Sequence, residues 1–307
     1  MTIVSHDAPD EATAAQLVST TQVFWQVGVF ISFICAFLVS AMQGATGGRV
    51  VFAILAVFAV IAWLWRLLSP TFRRFHEAAD VRDAARPAVV GNGKVSVTKV
   101  LFGADKKVLL TYFLAIVIFY VGWNLLANTW GQFQTYMFSK AGAAQSLATG
   151  LGIILNFVTL VLNIVFASIA GGKYRNKAFF AGIVISLIAM AAMAMGGANL
   201  WVIVGATAFM NLGSPLAGEA LYKVWTQESF PIEIRASIQG FINGFSRLCC
   251  GLFALITPAL VLPETIQTTM WCFFGIVIIE GIAGTIMIRA QKKYGTDEER
   301  QAHKIAA

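Results

Sequence analysis

Residues 147–170 read LATGLGIILNFVTLVLNIVFASIA, and the fold turns on this stretch. It holds no charged residue, and its polar positions are the hydroxyl side chains Thr149, Thr159 and Ser168 and the amides Asn156 and Asn163. As a helix rising 1.5 Å per residue, a segment of this length covers about 36 Å, enough to cross a hydrocarbon core about 30 Å thick. Seven further segments have the same character: about 22–43, 50–68, 108–137, 178–196, 200–225, 237–261 and 267–289. The expected fold is therefore all-α, a polytopic membrane protein with eight transmembrane helices.

The composition agrees. Hydrophobic residues make up 58% of the chain, charged residues 12%, and the mean hydropathy is +0.75. A soluble domain carries about 25% charge. So little polar surface could not cover a water-exposed globule, so the apolar excess must face lipid. The net charge of +7 does not point to nucleic acid, because the basic residues sit in the gaps between apolar runs. Between the second and third spans, residues 69–107 carry Pro70, Pro87, Gly91, Gly93 and eight basic residues, the pattern of a linker with some helix in it. If that linker is cytoplasmic, 19 of the 22 Lys and Arg residues fall on the inside. Only Arg49 and Lys140 fall outside, and Arg247 lies within a span. This asymmetry predicts a multi-pass protein of the inner (plasma) membrane with both termini cytoplasmic.

Enzyme chemistry finds no support. The three histidines, His6, His76 and His303, lie in polar tails or the linker, and no nucleophile set or metal-ligand spacing is visible. No catalytic residue, metal site or cofactor is expected. The four cysteines, Cys35, Cys249, Cys250 and Cys272, fall in apolar runs and read as buried free thiols.

Polar side chains at membrane depth are where function is sought. In the third span Asn124, Asn128 and Gln132 recur every four residues, with Tyr136 continuing the stripe. Three uncharged amides suit a neutral polyhydroxylated ligand, and Trp123 and Trp130 could stack on a sugar-like ring. Interhelical hydrogen bonding is the competing reading. Asn156, Thr159 and Asn163 make a similar stripe in the fourth span, with the same two readings open. In the sixth span Pro215 removes a backbone hydrogen bond and should kink the helix. Glu219 precedes Lys223 by one turn, either as a snorkelling ion pair or as a group that meets substrate or protons. In the seventh span Gln239, Asn243 and Arg247 share a face. Arg247 lies about 18 Å past the loop residue Arg235, so it must pair with an acid, with carbonyls or with ligand oxygens. Glu280 is a candidate partner.

The loop between the sixth and seventh spans reads WTQESFPIEIRASIQGF, with Glu228 and Arg235 placed to form an ion pair that breaks when the helix ends move. The run ESFPIEIR followed by Gly240 resembles the loop between the tenth and eleventh helices of the sugar porter family of the major facilitator superfamily. W-N-x-x-A-x-T-x-G at 123–131 is similar to the seventh helix of the bacterial inositol-type subgroup. S-R-L at 246–248 with Pro258 is similar to the eleventh, and Asp7-Ala8-Pro9 with 16–28 resembles the approach to the fifth. The resemblance implies that the eight spans correspond to helices 5–12 of the major facilitator fold. Residues 1–68 would then be the remainder of an N-terminal half, 69–107 the central linker, 108–289 the C-terminal six-helix half and 290–307 a cytoplasmic tail. Four helices would lie upstream of Met1 or be missing, and a chain without them is expected to transport little by itself. At 172–177 the acid of the family pattern is absent, and the sequence is Gly172-Lys173-Tyr174-Arg175-Asn176-Lys177.

The resemblance implies a secondary transporter of a sugar or polyol working by alternating access, with or without proton coupling. Asn124, Asn128, Gln132, Asn243, Arg247 and Trp130 are the expected substrate contacts, and Glu228, Arg235, Lys173 and Arg175 the expected gating residues. Its partners would be a small-molecule substrate and the lipid bilayer, with no nucleic acid. The alternatives are an organic-anion symporter that anchors a carboxylate on Arg247, or a fragment that does not transport.

Overall fold

The apolar runs fold as helices throughout a computed structural model that describes residues 10–39, 46–70, 73–74, 77, 97–196, 199–260, 262 and 264–306, and no strand occurs among them. In chain order the helices are α1 (Glu11–Val39), α2 (Thr46–Leu68), α3 (Val97–Leu101), α4 (Lys106–Lys140), α5 (Gln145–Ile169), α6 (Arg175–Gly196), α7 (Leu200–Gly213), α8 (Glu219–Ser229), α9 (Ile232–Ala254), α10 (Thr257–Leu260), α11 (Ile266–Tyr294) and α12 (Asp297–Ala306). Among the described residues α1, α2, α4, α5, α6 and α11 are long and apolar enough to cross a membrane. The chain is thus an all-α polytopic membrane protein. The other two predicted spans fold as helices but are not among these six. The sixth is divided at 214–218 into α7 and α8, and the seventh is α9, whose polar face lowers its apolar content.

The helices fall into two units, residues 1–33 with 97–307, and residues 34–96. The smaller unit holds α2, apolar on every face, the pattern of a helix surrounded by lipid. The predicted linker lies mostly in this unit, and residues 78–96 of it are outside the described residues.

The larger unit is a helical bundle. α11 packs along both α4 and α6, α6 along α7, and α9 and α8 along α4. Its centre is aromatic: Trp225 meets both Phe119 and Phe179 edge to face, and Tyr120 stacks on Tyr222 with ring centroids 3.8 Å apart. Apolar side chains also cover the outside, as on Ile154, Phe157, Val184, Ile188, Phe241, Ile279 and Ile286. In water such a surface would aggregate; in lipid it is solvated. α6 and the α7 end come together on small residues, since a Cβ on Gly182 would lie 2.8 Å from the Gly213 carbonyl oxygen. Where no hydrophobic force drives helices together, this close backbone approach supplies the packing.

Two local features differ from expectation. α1 begins at Glu11, well before the predicted start near 22, because 11–21 is polar enough to hide the helix from an apolar scan. Asp10 starts it by accepting from the Thr13 backbone N–H at 2.7 Å and its hydroxyl at 2.9 Å, and these bonds hold its carboxyl below the usual range. The cysteines are free, but only Cys250 is buried; Cys272 is exposed on the outer face, where an apolar run meets lipid as readily as protein.

Candidate functional site

A cavity of about 150 Å³ opens in the larger unit between α1, α4, α5, α7 and α8. Smaller than the about 300–1,000 Å³ of drug-sized pockets, it suits one small molecule or a few waters. Gln22, Trp25 and Gln26 reach it from α1, Trp123 and Gln134 from α4, Asn156, Thr159 and Asn163 from α5, Asn211 from α7 and Glu219 from α8.

Most of these groups are held by neighbours before any ligand arrives. Gln26 donates to the Asn156 side-chain carbonyl at 3.1 Å, tying α1 to α5. Thr159 donates to the Asn211 side-chain carbonyl at 2.6 Å, tying α5 to α7. The Asn156, Asn163 and Asn211 amides each donate one turn back along their own helices. Trp123 Nε1 donates to Ser214 Oγ at 2.9 Å, and its ring lies so close to Gly218 that a Cβ there would overlap it. One group is left over. Gln134 is 3% exposed, and among the described residues its Nε2 has no partner. A buried amide without a bond costs about 1–3 kcal/mol, so Gln134 stands ready for a ligand or a water.

Glu219 borders the cavity, with Lys223 as its partner. They pair at 3.0 Å with side chains only 11% and 8% exposed, and Lys223 Nζ also donates to Gln22 Oε1 at 2.6 Å. Of the two expectations for this pair, the geometry departs from snorkelling: the charges are buried together. Glu219 stands in the first turn of α8, where the positive end of the helix dipole suits an acidic side chain.

The expected substrate residues are placed elsewhere. Asn124 donates to Ser246 Oγ at 2.7 Å, and Asn128 donates to the Asn124 side-chain carbonyl at 2.6 Å. Arg247 Nη1 donates to Asn128 Oδ1 at 3.4 Å. These residues form an α4–α9 seam, the interhelical reading of the stripe, and none lines the cavity. A residue advances a helix by about 100°, so Trp123, Ala127 and Gln134 face the cavity while Asn124 and Asn128 face α9. Asn243 and Arg247 are exposed rather than deep in the bundle. Glu280 is buried against Gly122 and is no partner of Arg247. The side chains of Trp130 and Gln132 lie outside the described residues. The sequence reading passed over Gln22, Gln26 and Gln134. Gln22 and Gln26 carried the same four-residue amide spacing that marked the third span.

At the basic end of the bundle the gating residues also regroup. Glu228 pairs with Arg175, not with Arg235 as expected: Arg175 Nη1 and Nη2 meet its two oxygens at 2.5 and 3.1 Å. Arg235 instead donates to the Phe230 carbonyl at 3.0 Å, because α9 begins at once after Pro231 and keeps its first turn beside its own loop. Lys173 is exposed and lies over the Tyr174 ring. Gln291 joins the cluster by donating to Glu228 at 3.1 Å. Beyond Gly295, whose φ of +76° turns the chain, α12 folds back. There Arg300 donates to the Ser229 carbonyl at 2.8 Å, pairs with Asp297 at 3.1 Å and lies over Tyr112. Burial pushes the Asp297 carboxyl above its usual range, against the pull of Arg300 and Arg235.

No family model matches the chain. It is 25% identical over 298 residues to the minor myo-inositol transporter IolF of Bacillus subtilis (strain 168), an alignment covering 93% of this chain and 64% of that protein. The chain thus spans less than two thirds of the length of the curated relative it matches. Among the described residues no cluster of metal-ligating side chains occurs. The chain is a polytopic α-helical membrane protein resembling the sugar porters of the major facilitator superfamily, a likeness carried by its loop and helix motifs and by an inositol transporter aligned along most of its length.

Proposed function

We propose that the chain carries the substrate cavity of a secondary active transporter for a neutral sugar or polyol of the inositol type. The single observation behind this reading is the cavity itself: amides on four walls, two indoles and an unpartnered Gln134. Such a lining exchanges hydrogen bonds with hydroxyl groups of either sense, while Trp25 and Trp123 offer flat apolar faces to the C–H side of a ring. The relative's name, an inositol transporter, points the same way.

Transport would proceed by alternating access, the helices on either side of the cavity rocking about the bound solute. Residues 108–289 would form the six-helix half, 1–68 part of the other half, 69–107 the linker and 290–307 the tail. The Lys and Arg distribution supports an inner-membrane protein with both termini in the cytoplasm, so the Arg175–Glu228 clasp would close the cytoplasmic side. Transport would run with or without proton coupling. An organic anion held by Arg247 finds less support, since that guanidinium turns to Asn128 and an acid floors the cavity.

The test is equilibrium dialysis of the full chain in detergent against labelled myo-inositol, glucose and benzoate. Saturable binding of a neutral polyol or hexose is expected. Binding of benzoate alone would overturn the proposal.

A further inference from the structure

A pocket for neutral solutes has no need of a buried ion pair, yet one member of such a pair, Glu219, lines this cavity. Taking Glu219 and Lys223 out of water gains little stability on balance, because the desolvation of both charges offsets their attraction. Their arrangement is also lopsided. Glu219 Oε1 is the oxygen that meets Lys223, at 3.0 Å, and Lys223 spends a second donor on Gln22. Among the described residues nothing donates to the other Glu219 oxygen, although Glu219 lines the cavity. Gln134 Nε2, buried and unpartnered, borders the same space. One free charged acceptor and one free amide donor therefore share a cavity.

Resting on the polyol reading above, we propose that Glu219 is the specificity-determining residue of this cavity. Its free oxygen accepts a hydrogen bond from a ligand hydroxyl, and Lys223 is its fixed counter-ion. The site takes uncharged polyhydroxy compounds and rejects their carboxylate derivatives. Hydrogen bonds to a charged acceptor are about twice as strong as neutral ones, so a hydroxyl placed there contributes more than any amide contact in the cavity. A ligand lacking that hydroxyl leaves a buried carboxylate oxygen unpaired, a larger penalty than a missing apolar contact. A ligand carboxylate would lie against Glu219 in a low-dielectric space, where like charges repel strongly. Lys223 offers it little relief, since that ammonium is already engaged by Glu219 and Gln22. Arg247 does not line the cavity, and its guanidinium turns to Asn128.

The experiment is equilibrium dialysis of the full chain in detergent with labelled myo-inositol, competed by unlabelled glucuronate. For the wild-type chain, inositol binds and glucuronate does not compete. Glu219→Gln is expected to weaken inositol about tenfold, the scale of one lost charge-assisted hydrogen bond. It should also let glucuronate compete, because Lys223 is left without its counter-charge. Glu219→Asp keeps the charge but withdraws the oxygen; it should weaken inositol while glucuronate stays silent. It also serves as the test should Glu219→Gln not fold. Inositol binding as tight as that of the wild-type chain in both variants, or glucuronate competing against the wild-type chain, overturns the inference. A wild-type chain that binds no polyol or hexose overturns the reading of the cavity itself, a result seen before any variant is made.

Discussion

Arg175 at the start of α6 grips both oxygens of Glu228 near the end of α8, at 2.5 and 3.1 Å. The pair is bidentate and mostly buried, with the Arg175 and Glu228 side chains 16% and 10% exposed. That geometry separates it from a surface ion pair, which is worth about 0–1 kcal/mol. Removing one partner leaves the other charge buried and uncompensated. Arg175→Gln should therefore cost about 3 kcal/mol, and adding Glu228→Gln should recover a large part of that. Thermal unfolding of the two single variants and the double variant measures the coupling. Additive losses would show that the two charges act independently.

Gln134 should trade stability against binding. Gln134→Leu removes a buried amide whose Nε2 has no partner among the described residues, so the empty protein should gain about 1 kcal/mol. The same change removes a donor from the cavity, and myo-inositol binding should fall about tenfold. Thermal unfolding and dialysis on the same preparation give both numbers. A variant that loses stability would mean that Gln134 is bonded in the folded protein.

Gly218 should tolerate no side chain. A Cβ there would overlap both the Ser214 carbonyl oxygen and the Trp123 indole, which donates to the Ser214 hydroxyl. Gly218→Ala should push that ring toward the cavity and weaken ligand binding at least tenfold. Trp123→Phe combined with Gly218→Ala should relieve only the ring overlap, and the clash with the Ser214 carbonyl should keep the double variant less stable than the wild-type chain. Unfolding temperatures of the single and double variants decide it.

The last helix should come away when Arg300 is shortened. Arg300→Ala removes its bonds to the Ser229 and Gly295 carbonyls and to Asp297. Residues 297–306 should then exchange their amide hydrogens at near-unprotected rates, while α11 up to about residue 290 keeps its protection. Unchanged exchange in α12 would assign its docking to other contacts.

The helices were legible because lipid imposes a simple rule on them: apolar segments of about 20 residues, polar gaps, and basic residues to one side. The rule fails where a helix mixes roles. Residues 11–21 are helical but carry polar side chains, such as the buried Ser19, so the start of α1 was hidden. Pro215 signalled a kink, but the full break over 214–218 depends on Gly218 beside Trp123, a contact between distant parts of the chain. The candidate site was legible by residue type and not by face. Amide stripes at four-residue spacing exist in α1, α4 and α5, and spacing alone does not say which stripe meets a neighbouring helix and which meets a cavity. Asn124 and Asn128 found Ser246 and each other; Asn156 and Asn163 found the cavity. The choice of Arg175 over Arg235 as the partner of Glu228 is likewise a matter of tertiary placement, since Arg235 is nearer in sequence yet bonds its own loop.

The break before α8 has a mechanical consequence. Freed from α7, the eleven residues of α8 form a short rigid rod with Glu219 in its first turn and Glu228 in its last. The two carboxylates are about 13 Å apart along the axis, one at the cavity floor and one in the grip of Arg175. A tilt of this rod about 214–218 would swing the Glu228 end most and turn Glu219 close to the pivot. One short helix thus carries both the carboxylate at the cavity and the carboxylate that clasps Arg175.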